Sequence, residues 1–162
     1  MTSLWHFSED PELGHFEPRD GKIWAIDEEH SWLYWFPRDC PRACFWAVES
    51  TTADDVERWL DGDGERRVAV IESSWLERLR TVELYAYRLP REPFDVVQDG
   101  RFYIASAPVD ALGRVEVGDL LARHAGAGIE LRIAPALYPL WDRVIETTLE
   151  YSGIRLRNAV RR

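Results

Sequence analysis

The sequence predicts an α+β fold in which a mixed or antiparallel sheet forms the core and helices flank it. Short apolar runs of strand length interleave with segments of helical periodicity, without the strict alternation of a parallel α/β fold. No internal repeat, low-complexity stretch or Pro/Gly-rich linker divides the 162 residues. A chain of this length is sufficient for one core, so we expect a single globular domain over residues 1–162.

The first half predicts strands separated by two helices. Asp27 can cap a helix over Glu28–Phe36, because acidic residues in the first turn suit the positive end of the dipole and Pro37 would end it. Thr52–Leu60 places three apolar side chains on one helical face. The predicted strands are Leu4–Phe7, Ile23–Ile26, Ala43–Val48 and Arg67–Glu72, with a loop through His15–Arg19.

The second half ends in the clearest helical pattern. Apolar residues of "ALYPLWDRVIETTLEYSG" recur at helical spacing from Leu137 to Leu149, and Gly153 would cap the helix. Ser74 and Glu77 form a capping box at the start of a shorter helix. The other predicted elements are strands at Val82–Leu89, Phe102–Ala105, Leu112–Val117 and Glu130–Ile133, a helix at Asp119–Ala125, and an extended tail in which Arg155 and Arg157 share a face.

Composition limits the partners. The formal net charge of −9 repels a phosphate backbone, and no basic run is longer than a pair such as Arg161-Arg162, so nucleic acid is not expected. No apolar run has the length of a membrane span and no signal-peptide pattern opens the chain, which predicts a cytoplasmic protein without a membrane partner. A small-molecule ligand needs only a local basic site. The oligomeric state is left open.

Tryptophan and cysteine each carry information. Eight Trp exceed what a core of this size needs, so some are expected to line a pocket or a partner surface. Cys40 and Cys44 would lie about 13 Å apart in an extended segment, beyond disulfide reach. We therefore expect reduced thiols.

The stretch "LWHFSEDP" carries the first candidate site. His6 and Ser8 project from the same face if the first strand continues that far, and together they could hold a ribose hydroxyl or a carbonyl. The alternative is that His6 is a hydrogen-bonded core residue and that the segment from Ser8 to Pro11 is a turn, since Ser, Asp and Pro all favour turns.

The stretch "YWFPRDCPR" carries the second candidate site. Arg38 and Arg42 lie in a proline-stiffened loop beside Tyr34 and Trp35, an arrangement that suits a phosphate or carboxylate on a flat ring. The alternative is that the arginines pair with neighbouring acids and brace the loop. Cys40, flanked by both arginines, is a candidate nucleophile, although a buried inert thiol is the plainer interpretation.

No metal is predicted. Cys40, Cys44 and His30 supply at most three zinc ligands with unsuitable spacing, and the calcium-like count from Asp61 has Arg66 where glycine is required. Phosphate-loop, dinucleotide, serine-hydrolase and metalloprotease motifs do not occur, and the cofactor is left unknown.

The segments "HFSEDP", "WFPRDCPR" and "SGIRLRNA" resemble a family of short bacterial proteins known only as a domain of unknown function. This resemblance spans nearly the whole chain and implies no established activity.

A more distant resemblance is to ADP-ribosyltransferase-like domains. His6-Phe7-Ser8 is similar to their first motif, and the strand at Ile23–Ile26 leading to Tyr34 is similar to the second. In such enzymes a Glu before a later strand orients the ribose. Here that strand is preceded by Asp99-Gly100-Arg101, which puts transfer chemistry in doubt while leaving nucleotide-like binding.

Three hypotheses follow. In the first, the protein binds, and in a stronger form transforms, a small anionic aromatic or nucleotide-like ligand through His6, Ser8, Tyr34 or Trp35, Arg38 and Arg42. The second is a non-enzymatic interaction module with a Trp-rich patch. The third is an acid–base or thiol enzyme that uses His6 and Cys40.

Overall fold

The computed structural model describes residues 3–97 and 100–161. The chain divides into two compact units: unit 1 is Met1–Arg38 with Val82–Gly118, and unit 2 is Asp39–Thr81 with Asp119–Arg162. Helices and antiparallel and mixed sheets occur together, so the predicted α+β fold is confirmed. A single domain over 1–162 stays a prediction. No helix among the described residues is long and apolar enough to cross a membrane.

Unit 1 is built on a six-stranded antiparallel sheet. The strands of this unit are β1 (Leu4–Ser8), β2 (His15–Phe16), β3 (Ile23–Asp27), β6 (Tyr85–Leu89), β7 (Asp95–Val97), β8 (Phe102–Ala105), β9 (Val109–Asp110) and β10 (Gly113–Glu116). The order in the six-stranded sheet is β10-β6-β1-β3-β8-β7, and a separate two-stranded ribbon pairs β2 with β9.

The register of unit 1 assigns side chains to two sheet faces. Residues opposite each other in antiparallel strands project to the same side, and His6 lies opposite Tyr87. On this first face Leu4 and Tyr87 pack with Phe16 in a buried apolar cluster. Side chains alternate between the two faces along a strand. Trp24 and Phe102 belong to the second face, because each is next in sequence to a residue on the first face.

Unit 2 has four strands, β4 (Arg42–Trp46), β5 (Arg67–Glu72), β11 (Ile129–Ala134) and β12 (Glu150–Ile154), and four helices, α1 (Ala53–Leu60), α2 (Leu76–Thr81), α3 (Leu120–Gly126) and α4 (Tyr138–Val144). The strands form one sheet in the order β11-β5-β4-β12, in which β11 and β5 are parallel and the other pairs antiparallel. Ala43, Phe45 and Val68 on one face pack with Leu60 and Leu137.

Two of these helices begin at capping side chains. The hydroxyl of Thr52 accepts a hydrogen bond from the Asp55 amide at 3.2 Å, and the carboxylate of Asp119 accepts one from the Ala122 amide at 3.2 Å. Each bond satisfies an amide that has no partner within its helix. The start of α1 and the start of α3 follow from these caps.

The helix predicted over Glu28–Phe36 is wrong. Only Ser31–Tyr34 is helical, as one 3-10 turn, and Asp27 ends β3. The Asp27 carboxylate accepts from the His30 amide at 2.8 Å, and the Ser31 hydroxyl donates to the Glu28 carbonyl at 2.8 Å. These local bonds offer the backbone a turn in place of a helix. Similarly, Ser74 is not a cap, because a 3-10 helix already begins at Ser73.

The long C-terminal helix is also wrong. α4 ends at Val144, and Gly153 lies inside strand β12. The predicted extended tail is interrupted too: Arg155 has a φ of 57°, and a 3-10 helix spans Leu156–Asn158. Arg155 and Arg157 therefore do not share the face of an extended segment. Sequence reasoning missed the short strands β2, β7 and β9 as well.

Candidate functional site

His6 lies on the first face of the unit 1 sheet, where β1 and β3 begin to separate. The β1–β3 pairing is Leu4 with Asp27 and Trp5 with Ile26, and next to it His6 Nδ1 approaches the Trp24 carbonyl at 3.0 Å. A carbonyl only accepts, so Nδ1 carries the proton. In the neutral ring, Nε2 is then a hydrogen-bond acceptor.

The surroundings of His6 favour this neutral form. Burial lowers the pKa of His6, which the bond to the Trp24 carbonyl opposes, and the positive charges of Arg38 and Arg19 lower it further. The ring also meets the Phe16 ring edge-on, with centroids 4.9 Å apart. A partly buried, neutral imidazole therefore lies within the field of two guanidinium groups.

Ser8 continues the face that carries His6, but its environment is different. The side chain is 2% exposed, and its hydroxyl accepts from the Asp10 amide at 3.1 Å. Asp10 in turn accepts from the Glu12 amide at 2.9 Å. These are turn contacts of the kind that Ser and Asp commonly make, and they favour the turn interpretation for this part of the first motif.

Arg38 is joined to the first motif through Glu9. The Arg38 amide donates to Glu9 Oε2 at 2.9 Å, and Glu9 directly follows β1. The Arg38 residue itself is exposed, and its charge acts on His6. The structure therefore brings together one residue from each of the two predicted motifs.

Tyr34 and His6 lie on opposite faces of the unit 1 sheet. The Tyr34 ring meets the Phe102 ring edge-on at 6.2 Å, and Phe102 in turn meets Trp24, both on the second face. Trp35 is 8% exposed. This geometry does not support the predicted stacking of a His6 ligand on Tyr34.

Cys40 and Arg42 belong to unit 2, whereas the other predicted site residues belong to unit 1. Arg42 is 2% exposed, and its guanidinium donates to the Cys40 carbonyl at 3.0 Å, which favours the brace interpretation. Burial raises the pKa of the Cys40 thiol to about 12, against the opposing effect of Arg42. A buried thiol with this pKa is protonated at neutral pH, and this is typical of a structural cysteine.

Sequence reasoning missed Arg19. Arg19 and Lys22 bond to each other through both amides, at 2.9 and 3.0 Å, in the tight turn before β3. Lys22 reaches the Trp24 ring, 5.8 Å from its centroid. In the sequence, Arg19 and Lys22 flank Asp20-Gly21, a pattern that could have indicated a basic turn. Only the fold shows that the positive charge of Arg19 lowers the pKa of His6.

The remaining motifs can be compared with the metal-ligating side chains and with the depression on the described part of the chain. No cluster of three metal-ligating side chains occurs among residues 3–97 and 100–161. A shallow depression of about 600 Å³ lies in unit 2 and contains none of the predicted site residues. Its Arg66 is already ion-paired with Asp61 at 2.8 Å. Asp99 of the third transferase-like motif and Arg162 of the basic run lie outside the described residues.

The hypothesis of a Trp-rich interaction patch predicts that several indole side chains are exposed. Seven of the eight Trp are buried or partly buried, and Trp24 alone is exposed, at 41%. A single exposed indole is not an extended apolar surface. The interaction-module hypothesis therefore stays a prediction without support from a tryptophan patch.

Comparison with known proteins gives one match. A family model described as a family of unknown function, DUF6886, matches residues 5–159. No curated protein and no solved structure matches the chain. The predicted resemblance to a family of unknown function is confirmed, and the resemblance to ADP-ribosyltransferase-like domains stays a prediction.

Proposed function

The chain belongs to DUF6886, a family of unknown function, and from its own geometry we propose that unit 1 binds a small anionic molecule at His6. One observation carries the proposal: a neutral imidazole, fixed through Nδ1, lies in the combined field of Arg19 and Arg38. The guanidinium groups would attract the anionic group, and Nε2 would accept a hydrogen bond from the ligand.

The charge of the whole chain supports selectivity for such a ligand. With a net charge of −9, most of the surface repels anions, so a local pair of guanidinium groups would be a distinct attractive region. Arginine also presents a planar fork of donors that matches phosphate and carboxylate groups. The ligand class that fits best is therefore a phosphorylated or carboxylated small molecule, with nucleotides among its members.

The tautomer of His6 also defines the chemistry that the site permits. An imidazole whose Nδ1 proton is held by a carbonyl can accept a proton at Nε2 from a ligand hydroxyl. Arg19 and Arg38 would stabilise negative charge that develops on the ligand. For a catalytic role of this site, we propose that Nε2 of His6 acts as a general base.

Calorimetric titration with inorganic phosphate, ADP-ribose, NAD and nucleoside monophosphates tests the proposal. Binding of at least one probe should weaken at least about tenfold in Arg38→Ala, because one charged bond contributes about 1.5–3 kcal/mol, and by a smaller factor in His6→Ala, whose neutral ring makes an uncharged bond. Lys22→Ala is the matched control and should bind the probe as the unmodified chain does, because Lys22 shares the turn with Arg19 but packs on Trp24. No heat with any probe, or equal binding in all variants, contradicts the proposal.

A further inference from the structure

Strand β10 forms one edge of the unit 1 sheet. It pairs with β6 on one side, and all four of its residues, Gly113–Glu116, are exposed. The strand contains no proline and no lysine, the residues that often protect an exposed edge from pairing. Among residues 3–97 and 100–161 no strand pairs with its other edge, so that edge is open to another strand.

The register of β10 shows which main-chain groups point away from the sheet. Val115 lies opposite Ala86 and Glu116 opposite Tyr85, and the Val117 amide donates to the Leu84 carbonyl at 2.9 Å in the same register. In an antiparallel pair the groups that face the neighbour alternate residue by residue. Val115 and Val117 therefore face β6, whereas Arg114 and Glu116 point their amides and carbonyls outward.

We propose that β10 pairs antiparallel with β10 of a second copy of this chain, with the two Val115 residues on the two-fold axis. In this register Arg114 of each copy lies opposite Glu116 of the other. The outward amides and carbonyls of both residues then form four main-chain hydrogen bonds across the interface.

Charge selects this register over its neighbours. A shift that still pairs outward groups would place Arg114 opposite Arg114, or Glu116 opposite Glu116. Like charges directly opposite each other destabilise a strand pair, whereas opposite charges stabilise it. The strand is self-complementary in one register only.

Apolar contact adds to the pairing. Val115 is 54% exposed, and at the axis it would meet its symmetry mate in the closer, non-hydrogen-bonded type of pair. Leu112 is also 54% exposed and lies at the end of the same edge. Both side chains would lose solvent contact in the pair, which gives the dimer a hydrophobic contribution.

The test uses two charge-reversed variants of the full chain in sedimentation equilibrium. Arg114→Glu places Glu opposite Glu, and Glu116→Arg places Arg opposite Arg, so each variant alone should associate at least about tenfold more weakly than the unmodified chain. An equimolar mixture restores both opposite-charge pairs and should form a heterodimer. Hydrogen exchange at the Arg114 and Glu116 amides should slow with concentration, while the Val115 amide stays protected throughout.

Controls separate this interface from nonspecific attraction and from misfolding. The Arg114 guanidinium donates to the Pro11 carbonyl and lies 4.9 Å from the Tyr85 ring centroid, so that variant is checked by circular dichroism. Glu116→Arg is the variant that preserves those contacts. Glu65→Arg makes the same charge change as Glu116→Arg but in unit 2, so it should associate as strongly as the unmodified chain. A chain that is monomeric up to about 1 mM, or a dimer unaffected by Glu116→Arg, overturns the proposal.

Discussion

His6 Nδ1 lies 3.0 Å from the carbonyl oxygen of Trp24, so a side chain of β1 bonds to the backbone of β3 beside the last pair of their ladder. This bond fixes the ring orientation and the tautomer together. Solvent-exposed histidines do not have both properties fixed. Because neither the orientation nor the tautomer of the ring varies, the pKa of His6 reports on the burial and the charges around it.

We predict that His6 titrates below the ordinary value of 6.5, because burial and two guanidinium groups disfavour its charged form. Arg38→Ala should raise the pKa of His6, and Arg19→Ala should raise it less. The measurement is an NMR pH titration of the imidazole signals. A His6 that titrates at 6.5 or above in the unmodified chain would contradict the electrostatic basis of the site.

His15 should stabilise the protein below neutral pH. Its Nδ1 contacts Asp110 at 2.6 Å and its Nε2 contacts Glu17 at 2.8 Å, and these bonds raise the pKa of His15 above 6.5. The stabilisation is complete below pH 6.5 and is lost as the pH rises through the raised folded-state pKa. The melting temperature of His15→Gln should therefore fall below that of the unmodified chain in acid and approach it in alkali. A difference in melting temperature between the two proteins that grows with pH would contradict this prediction.

Glu72→Ala should be strongly destabilising. The carboxylate is 1% exposed and accepts from the Leu137 amide at 3.0 Å and from the Val160 amide at 2.9 Å. Its removal leaves the Leu137 donor buried without this acceptor, at a cost of about 2–3 kcal/mol in the free energy of unfolding. Urea denaturation measures it. The exposed Glu77→Ala is the matched control, with an expected change within about 0.5 kcal/mol.

Gly153→Ala should destabilise unit 2 by overpacking. An added Cβ would lie 2.6 Å from the Trp141 ring and 2.7 Å from a Leu156 methyl group. Crowding of this kind costs about 1–3 kcal/mol, and Trp141→Leu should recover part of it in the double variant. Gly126→Ala is the control, because nothing lies within 4 Å of a Cβ there. Additive single effects would show that the crowding is not at Trp141.

Neither cysteine should react with a thiol reagent in the folded protein at neutral pH. Burial raises the pKa of both Cys40 and Cys44 to about 12, and both residues are 0% exposed. Two thiols should become reactive on unfolding in urea. Rapid labelling of one thiol in the native state would restore Cys40 as a candidate nucleophile.

Local signals were sufficient for elements whose ends carry their own chemistry. The predicted strand Arg67–Glu72 has the observed bounds, since "RVAVIE" lies between a charged turn and a pair of serines. The helix predicted over Thr52–Leu60 from its apolar face matches α1, and Thr52 is the residue that caps it. In these segments, sequence pattern and tertiary structure agree.

The C-terminal segment shows why periodicity alone failed. Apolar residues stay in helical phase to Leu149, but the Thr147 hydroxyl donates to the Val144 carbonyl at 2.7 Å and accepts from the Leu149 amide at 3.2 Å. A side chain that bonds the backbone on both sides competes with the helix. The hydrophobic pattern contains no sign of this competition.

The candidate site was predictable only in part. His6 and Arg38 were both selected as residue types, yet their connection runs through Glu9, which lies 29 residues from Arg38. The separation of His6 from Tyr34 depends on strand register, and register is a property of the paired sheet. A single sequence gives neither relationship.

The order of segments in the two units has a consequence for synthesis of the chain. Unit 2 is interrupted by Val82–Gly118, and both outer strands of its sheet, β11 and β12, come from the last segment. When a ribosome has produced the first 118 residues, every strand of unit 1 exists, while β4 and β5 have only each other as neighbours. This pair of strands would expose apolar residues until the C-terminal segment emerges, so we expect this stage of synthesis to depend most on chaperones.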